Sequence, residues 1–449
     1  MFGKLTRFNQ TLGTDIQKIL SNVTWLFVDR VIQTGLSFFV GVWVARYLGP
    51  EQFGILNYAA SFVALLSPLA GLGLDGIVVR DIARNPSSKN ATLGSGFFLL
   101  LASGTLTFLL SIVLILHLKA DSILTQWVVG ILAAGTLFQA FNTVDLWFQS
   151  QTQSKYTVLA KRSAYIVLTL TRIVLIQLHA PLIAFAWARL AEIALAAVGL
   201  VVIYHQQGGQ IKDWKFSIDR AKMMLRDSWP LIIAGLSTYI YAGIDQVMLG
   251  QMATLKSVGT YSVAVRLSEF WDFIPMVLAQ STLPTLARKY EESEASFLSS
   301  LQKFFDLMAL SWFGIAVVVS VLSPWIIATL YGTAYKGSAM ILSIYVWGQF
   351  GSNFGVARSL YMNVKNILKL SLVISIGGAM LNVLLNLYLI PKYQEFGAAI
   401  ATLITYFFAV IFTNFIFREL RQLLPIIFKS LIIPQAFMRL VHSFRNTSG

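Results

Sequence analysis

Five arginines and seven acids stand inside long apolar stretches of this 449-residue chain, and they are the side chains best placed to do chemistry. The arginines are Arg30, Arg172, Arg189, Arg266 and Arg358; the acids are Asp75, Asp145, Glu192, Asp245, Glu269, Asp272 and Asp306. An ionised group at the centre of a membrane-spanning helix costs about 2.5–3.5 kcal/mol on insertion scales, so such residues are expected to face a cleft or a partner and not lipid. A guanidinium offers a planar fork that donates bidentately to phosphate. A carboxylate in the same setting can carry a coupling H+ or Na+. On these grounds Arg30, Asp75, Arg172, Asp245, Arg266, Glu269, Asp272 and Arg358 are the candidate substrate-binding residues. The spacing of three through Arg266, Glu269 and Asp272 predicts one slowly rotating helical face. Arg189 and Glu192, also three apart, are expected to neutralise each other, and Asp145 and Asp306 lie near helix ends where water relieves their cost.

Other chemistries find no residues to use. The chain has no cysteine, which excludes disulfides and thiol-ligated metals. The four histidines, His117, His179, His205 and His442, are scattered and predict no metal site. No GxxxxGK[ST], HExxH, CxxC or well-placed GxSxG occurs, so neither ATP hydrolysis nor any cofactor is expected, and the chain does not read as an enzyme.

The elements that must position the charged residues are long apolar helices. Hydrophobic residues make up 56% of the chain and charged residues only 12%, with a mean hydropathy of +0.69; these values predict an all-α integral membrane protein. A dozen apolar runs of roughly twenty residues or more predict about twelve transmembrane helices. They lie near 23–45, 53–79, 93–116, 123–148, 156–178, 182–204, 229–252, 258–286, 304–322, 339–362, 370–390 and 396–417. Of 34 Lys and Arg residues, 24 fall on one side of such an arrangement, and only Arg46, Lys119, Lys256, Lys336 and Lys392 fall on the other. That asymmetry predicts cytoplasmic N- and C-termini in a cell (inner) membrane. It also accounts for the net charge of +14 without nucleic acid as a partner. No apolar segment with a small-residue cleavage site opens the chain, so the first helix is expected to serve as the insertion signal.

A shift of 214 residues aligns LWFQSQTQSK, from Leu146, with LYMNVKNILK, from Leu360, and sets Arg172 against Asn386. Likewise Leu48-Gly49 and Phe53-Gly54 echo Leu249-Gly250 and Val258-Gly259. Two related six-helix bundles follow, and because six is even the pseudo-twofold axis between them runs along the membrane normal, with a central cleft. The expected divisions are 1–20, an amphipathic cytoplasmic segment; 21–205, the first bundle; 206–227, a polar linker; 228–418, the second bundle; and 419–449, a basic interfacial tail. The second helix of each half is long and carries prolines, Pro68 in one and Pro275 and Pro284 in the other, where kinks are expected.

The run RYLGPEQFG at Arg46–Gly54, followed by Asn57, Tyr58 and the GLGLD segment ending at Asp75, resembles polysaccharide-unit flippases, the Wzx-like branch of the MOP exporter superfamily. The echo at Leu249–Ala264 and the Ile-Pro-Lys and Phe-Gly-Ala-Ala segments from Ile390 to Ala399 fit that resemblance. It implies a transporter that moves an undecaprenyl-pyrophosphate-linked oligosaccharide from the cytoplasmic to the outer leaflet, with membrane lipids as its surroundings. It also implies that helices one, two, seven and eight, which carry Arg30, Asp75, Asp245 and the Arg266 group, surround the cavity. A MATE-type multidrug or cation antiporter of the same superfamily is the alternative, for which a cavity dominated by acids and aromatics is expected.

Overall fold

A computed structural model describes the backbone from residue 14 to 447 and the side chains from 34 to 442; Arg30 lies outside the described side chains. Every regular element among the described residues is helical. The first part comprises α1 (Thr14–Gly71), α2 (Asp75–Arg84), α3 (Lys89–Leu118), α4 (Ile123–Ala133), a 3-10 stretch (Ala134–Phe141), α5 (Asn142–Ser150), α6 (Ser154–Gln177) and α7 (Leu182–Gln206). The second comprises α8 (Ile218–Met252), α9 (Leu255–Glu269), α10 (Phe273–Glu292), α11 (Glu294–Leu330), α12 (Ser338–Val364), α13 (Lys369–Phe407), a π turn (Phe408–Phe412) and α14 (Thr413–Ile416). Two tail helices, α15 (Leu423–Leu431) and α16 (Ile433–Thr447), close the chain.

Several starts are set by side-chain caps. Ser217, Thr254 and Ser293 accept from the backbone N–H three residues on, at the heads of α8, α9 and α11.

Seven helical stretches among the described residues are long and apolar enough to cross a membrane. Two of them, Thr34–Arg84 and Lys369–Ile416, hold 51 and 48 residues, about twice what a 30 Å hydrocarbon core needs. Each is broken inside, at Gly49 (φ 70°) and at Gln394 (φ 49°). Among the helices that do not qualify, α6 carries Lys161, Arg162 and Arg172 and α12 carries Gln349, Asn353 and Arg358, while α9, with Arg266 and Glu269, holds only 15 residues.

The internal repeat is written in the backbone. Thr152 and Asn366, 214 residues apart, both take the left-handed conformation, at φ 55° and 57°, each in the turn that leads into the matching helix, α6 or α13. The echoed glycines meet each other's segments reciprocally. A Cβ on Gly54 would lie 1.7 Å from the Leu255 carbonyl oxygen, and a Cβ on Gly259 would lie 1.8 Å from that of Pro50. Pro50 and Leu255 are themselves related by the same offset as Gly54 and Gly259, so the contact is self-complementary, as a twofold axis requires.

Around this contact the halves are sewn together. Tyr335 donates to the Ala45 carbonyl at 2.7 Å and Gln251 to the Tyr58 hydroxyl at 2.5 Å. Lys119 donates to the Gly250 carbonyl while lying over the Tyr58 ring. A single core built from Val44, Phe53, Tyr58, Tyr261, Tyr335 and Tyr345 runs across both halves here. Toward the opposite, basic end the cores separate. One, around Phe305, Phe354 and Leu423, belongs to the second half and tail, and two, around Leu74 and Phe148, belong mainly to the first. The head of α8 is nevertheless clamped to the first half, through Arg220 to Asp81 at 3.0 Å and Asp227 to Arg80 at 2.7 Å.

Two expected helices break at turns, beyond the 3-10 stretch within the fourth and the π turn within the twelfth. The second expected span stops at Gly71, because Leu72 and Gly73 take positive φ (51° and 62°), and resumes as α2; Pro68 passes within the helix. The eighth breaks between Glu269 and Phe273, with Asp272 as the residue preceding α10. Pro275 is then the third residue of α10, in the first turn where its missing N–H has no partner to lose.

Candidate functional site

The antiparallel pair α6 and α7 presents Tyr165, Thr169, Arg172, Arg189 and Glu192 toward α1, and α9 presents Arg266 from the other half. Together they enclose a cavity of about 420 Å³. Glu192 accepts from Arg172. Arg189 opens to the cavity and makes no ion pair among the described residues. Arg266 reaches across the boundary between the halves and donates to the Ser37 carbonyl at 3.3 Å. Its guanidinium fills the space that a Cβ on Gly41 would need, 2.4 Å away, so a glycine on α1 is what admits it.

Three guanidinium groups against one carboxylate leave the lining at a net charge of +2. The hydroxyls of Tyr165 and Thr169 are buried there without a hydrogen-bond partner among the described residues. Buried hydroxyls normally find a partner, so these two, with Arg189 and Arg266 outside any ion pair among the described residues, suit a polar anion. A second cavity of about 290 Å³ shares Ser37, Tyr165 and Arg266 and continues to Glu269 and Phe270.

The structure gathers Arg172, Arg266 and Glu269 of the candidate residues and disperses the others. Asp272 leaves the Arg266–Glu269 face because α9 ends at Glu269; it accepts from Gln349 at 3.4 Å. Asp245, 4% exposed, is enclosed in the second half. Its Oδ2 accepts from Tyr261 and, at 2.9 Å, from Thr402, while Oδ1 has no partner among the described residues. Arg358 donates to the Ala409 carbonyl and to Thr413 Oγ1 at 2.9 Å; the widened π turn frees a carbonyl, and this arginine occupies it. Asp75 is exposed at the head of α2, with Asp145 and Lys161 as its charged neighbours. The cavity is therefore lined from expected spans one, two, five, six and eight, and span seven contributes no residue to it.

Arg189 and Glu192 are the residues that pairing along one helix misassigned. Glu192 chooses Arg172 on the neighbouring helix and leaves Arg189 without an ion pair among the described residues. The signal was the tight turn at residues 178–181, which folds α6 against α7 and brings the two levels together.

A protein of Haloferax volcanii named "Probable flippase AglR" is 23% identical over 392 residues, which span 84% of this chain and 79% of that one. The solved structure of the lipid II flippase MurJ in an inward closed conformation superposes with a TM-score of 0.72 at 16% identity, covering 92% of this chain and 91% of that one. An inward-facing multidrug-resistance MATE family transporter of the MOP superfamily gives a TM-score of 0.71 at 16% identity, covering 87% and 94%. At such identity these two likenesses establish the fold, a multi-pass helical transporter fold. Residues 19–290, well over half of the chain, match the profile of the family described as "Polysaccharide biosynthesis protein", and the chain belongs to that family.

Proposed function

We propose that this chain is a flippase that moves a polyprenyl-pyrophosphate-linked oligosaccharide from the cytoplasmic to the outer leaflet for surface polysaccharide synthesis. The observation that carries the reading is the cavity between the halves, where Arg172, Arg189 and Arg266 outnumber Glu192. A pyrophosphate brings about two negative charges, and each gains about 2.3 kcal/mol per 100 mV on moving outward against an inside-negative potential, so export needs no nucleotide. The MATE-type antiporter reading asks the same cavity to hold a cation, which a lining of net +2 repels. No catalytic role is assigned, and the lipid-linked glycan and surrounding lipids are the partners.

Twelve spans in two bundles, 21–205 and 228–418, accommodate the broken helices and the repeat. With the basic end cytoplasmic, the Gly54–Gly259 contact closes the outer side while the inner side is divided, as an alternating-access cycle requires. Coupling to H+ or Na+ is proposed to run through Asp245, one of whose oxygens has no partner among the described residues.

Two experiments test this reading. In cells depleted of the protein, leaflet-resolved labelling should find polyprenyl-linked glycan accumulating on the cytoplasmic face; unchanged outer-leaflet glycan contradicts the function. The cysteine-free chain also permits single cysteines at the exposed positions Ser87, Gln207 and Gly337. The first two are expected to react with an impermeant maleimide only after permeabilisation, and the third in intact cells. Reaction of Gln207→Cys from outside would invert the topology.

A further inference from the structure

We infer that the tail forms a binding site for an anionic phospholipid, independent of what occupies the central cavity. Helices α15 and α16 meet at a bend of 100° and pack on the first turns of α11, leaving a cavity of about 550 Å³ whose lining includes Lys303, Asp306, Lys429, Arg439 and His442. Its floor is built. Asp306 is fully buried and accepts from Gln302 at 2.9 Å, Ser430 at 2.7 Å and the Arg439 fork at 2.8 and 2.7 Å. That bidentate contact uses the charge of Arg439 and locks α16 against α11. Lys303 and Lys429 have no such partner among the described residues, and both are exposed at the mouth. Three cations against one carboxylate leave +2, before any charge on His442.

The surroundings select a lipid over a free anion. Ile426, Leu298 and Pro425 give the cavity apolar walls, and Phe428, Phe437 and Met438 stand 48%, 59% and 54% exposed on the same two helices. A headgroup phosphate between the lysines with acyl chains along these apolar side chains satisfies both features. A bare phosphate satisfies only the first.

The test uses the purified full chain in detergent and native mass spectrometry. Dioctanoyl phosphatidylglycerol should bind at least tenfold tighter than dioctanoyl phosphatidylcholine or inorganic phosphate. The variant Lys303→Gln/Lys429→Gln should lose about thirtyfold, roughly fivefold for each lysine at an anionic headgroup, with an unchanged melting temperature in lipid-free detergent. The equally neutralised variant Lys212→Gln/Lys215→Gln should keep wild-type affinity. Wild-type affinity in the Lys303/Lys429 variant overturns the site, as does an equal loss in the Lys212/Lys215 variant. Binding of phosphatidylcholine or inorganic phosphate as tight as phosphatidylglycerol overturns the lipid assignment.

Discussion

Arg266→Ala is expected to lower glycan export about a hundredfold per folded molecule while abundance and melting temperature stay near wild type. The stability half of this expectation follows from the contacts: Arg266 makes no ion pair with Glu269 among the described residues, and its one hydrogen bond is a 3.3 Å donation to the Ser37 carbonyl. Its removal strands no buried acid, since Glu269 opens onto the second cavity. The export half follows from the loss of a charge-assisted fork to the phosphate, about 3 kcal/mol, or roughly two factors of ten. Arg266→Lys should fall between, near tenfold, because an ammonium keeps the charge without the planar fork. Arg172→Ala should differ, since it also deprives Glu192 of its partner. A stability loss of about 1–2 kcal/mol is expected at this half-buried pair, recovered in Arg172→Ala/Glu192→Ala with export still absent. Export assays at matched protein abundance, with melting curves of the purified variants, separate the two effects. Normal export by Arg266→Ala would remove this arginine from substrate handling.

Gly54→Ala is expected to pry open the end of the molecule that closes on the Gly54–Gly259 contact. The new methyl carbon would stand 1.7 Å from a backbone oxygen that belongs to the opposite half, and a backbone cannot rotate aside as a flexible side chain does. Gly259→Ala meets the reciprocal obstacle at 1.8 Å. Each variant should lose about 1–3 kcal/mol of stability and most export. A cysteine at the cavity-lining Asn57 should become reactive from outside in either variant while staying protected in the parent. Because one separation relieves both clashes, the double variant should cost clearly less than the sum of the singles. Wild-type protection of Asn57→Cys in the Gly54→Ala background would mean that this contact is no gate.

Much of the fold was legible in the sequence because lipid imposes long apolar helices, which show in simple counts. The repeat was legible too, since Gly54 and Gly259 are needed for close backbone approach and left paired marks along the chain. Helix interruptions were less so. The break at Leu72–Gly73 falls where both residues take positive φ and not at the nearby Pro68, and α9 ends at Glu269, before Asp272. The site divided the same way. Sequence could find arginines inside apolar runs, because the cost of charge in lipid is local. It could not assign partners, which depend on neighbouring helices: Glu192 sits closer in sequence to Arg189 yet binds Arg172, and Arg358 is taken up by a π turn that no spacing announces. The orphan hydroxyls of Tyr165 and Thr169 became visible only once α6 was seated against α1 and α7.

The central claim, that the arginine-lined cavity carries a lipid-linked pyrophosphate across the membrane, is tested most directly in proteoliposomes. The purified chain would be reconstituted with a fluorescent polyprenyl-pyrophosphate-linked oligosaccharide, and its arrival in the other leaflet followed by an impermeant quencher under an imposed potential. Wild-type protein should translocate the lipid faster when the potential draws negative charge in the transport direction, whereas Arg172→Ala/Arg189→Ala/Arg266→Ala should match protein-free vesicles. Equal translocation by the triple variant, or movement of a lipophilic cation in place of the pyrophosphate lipid, would contradict the account.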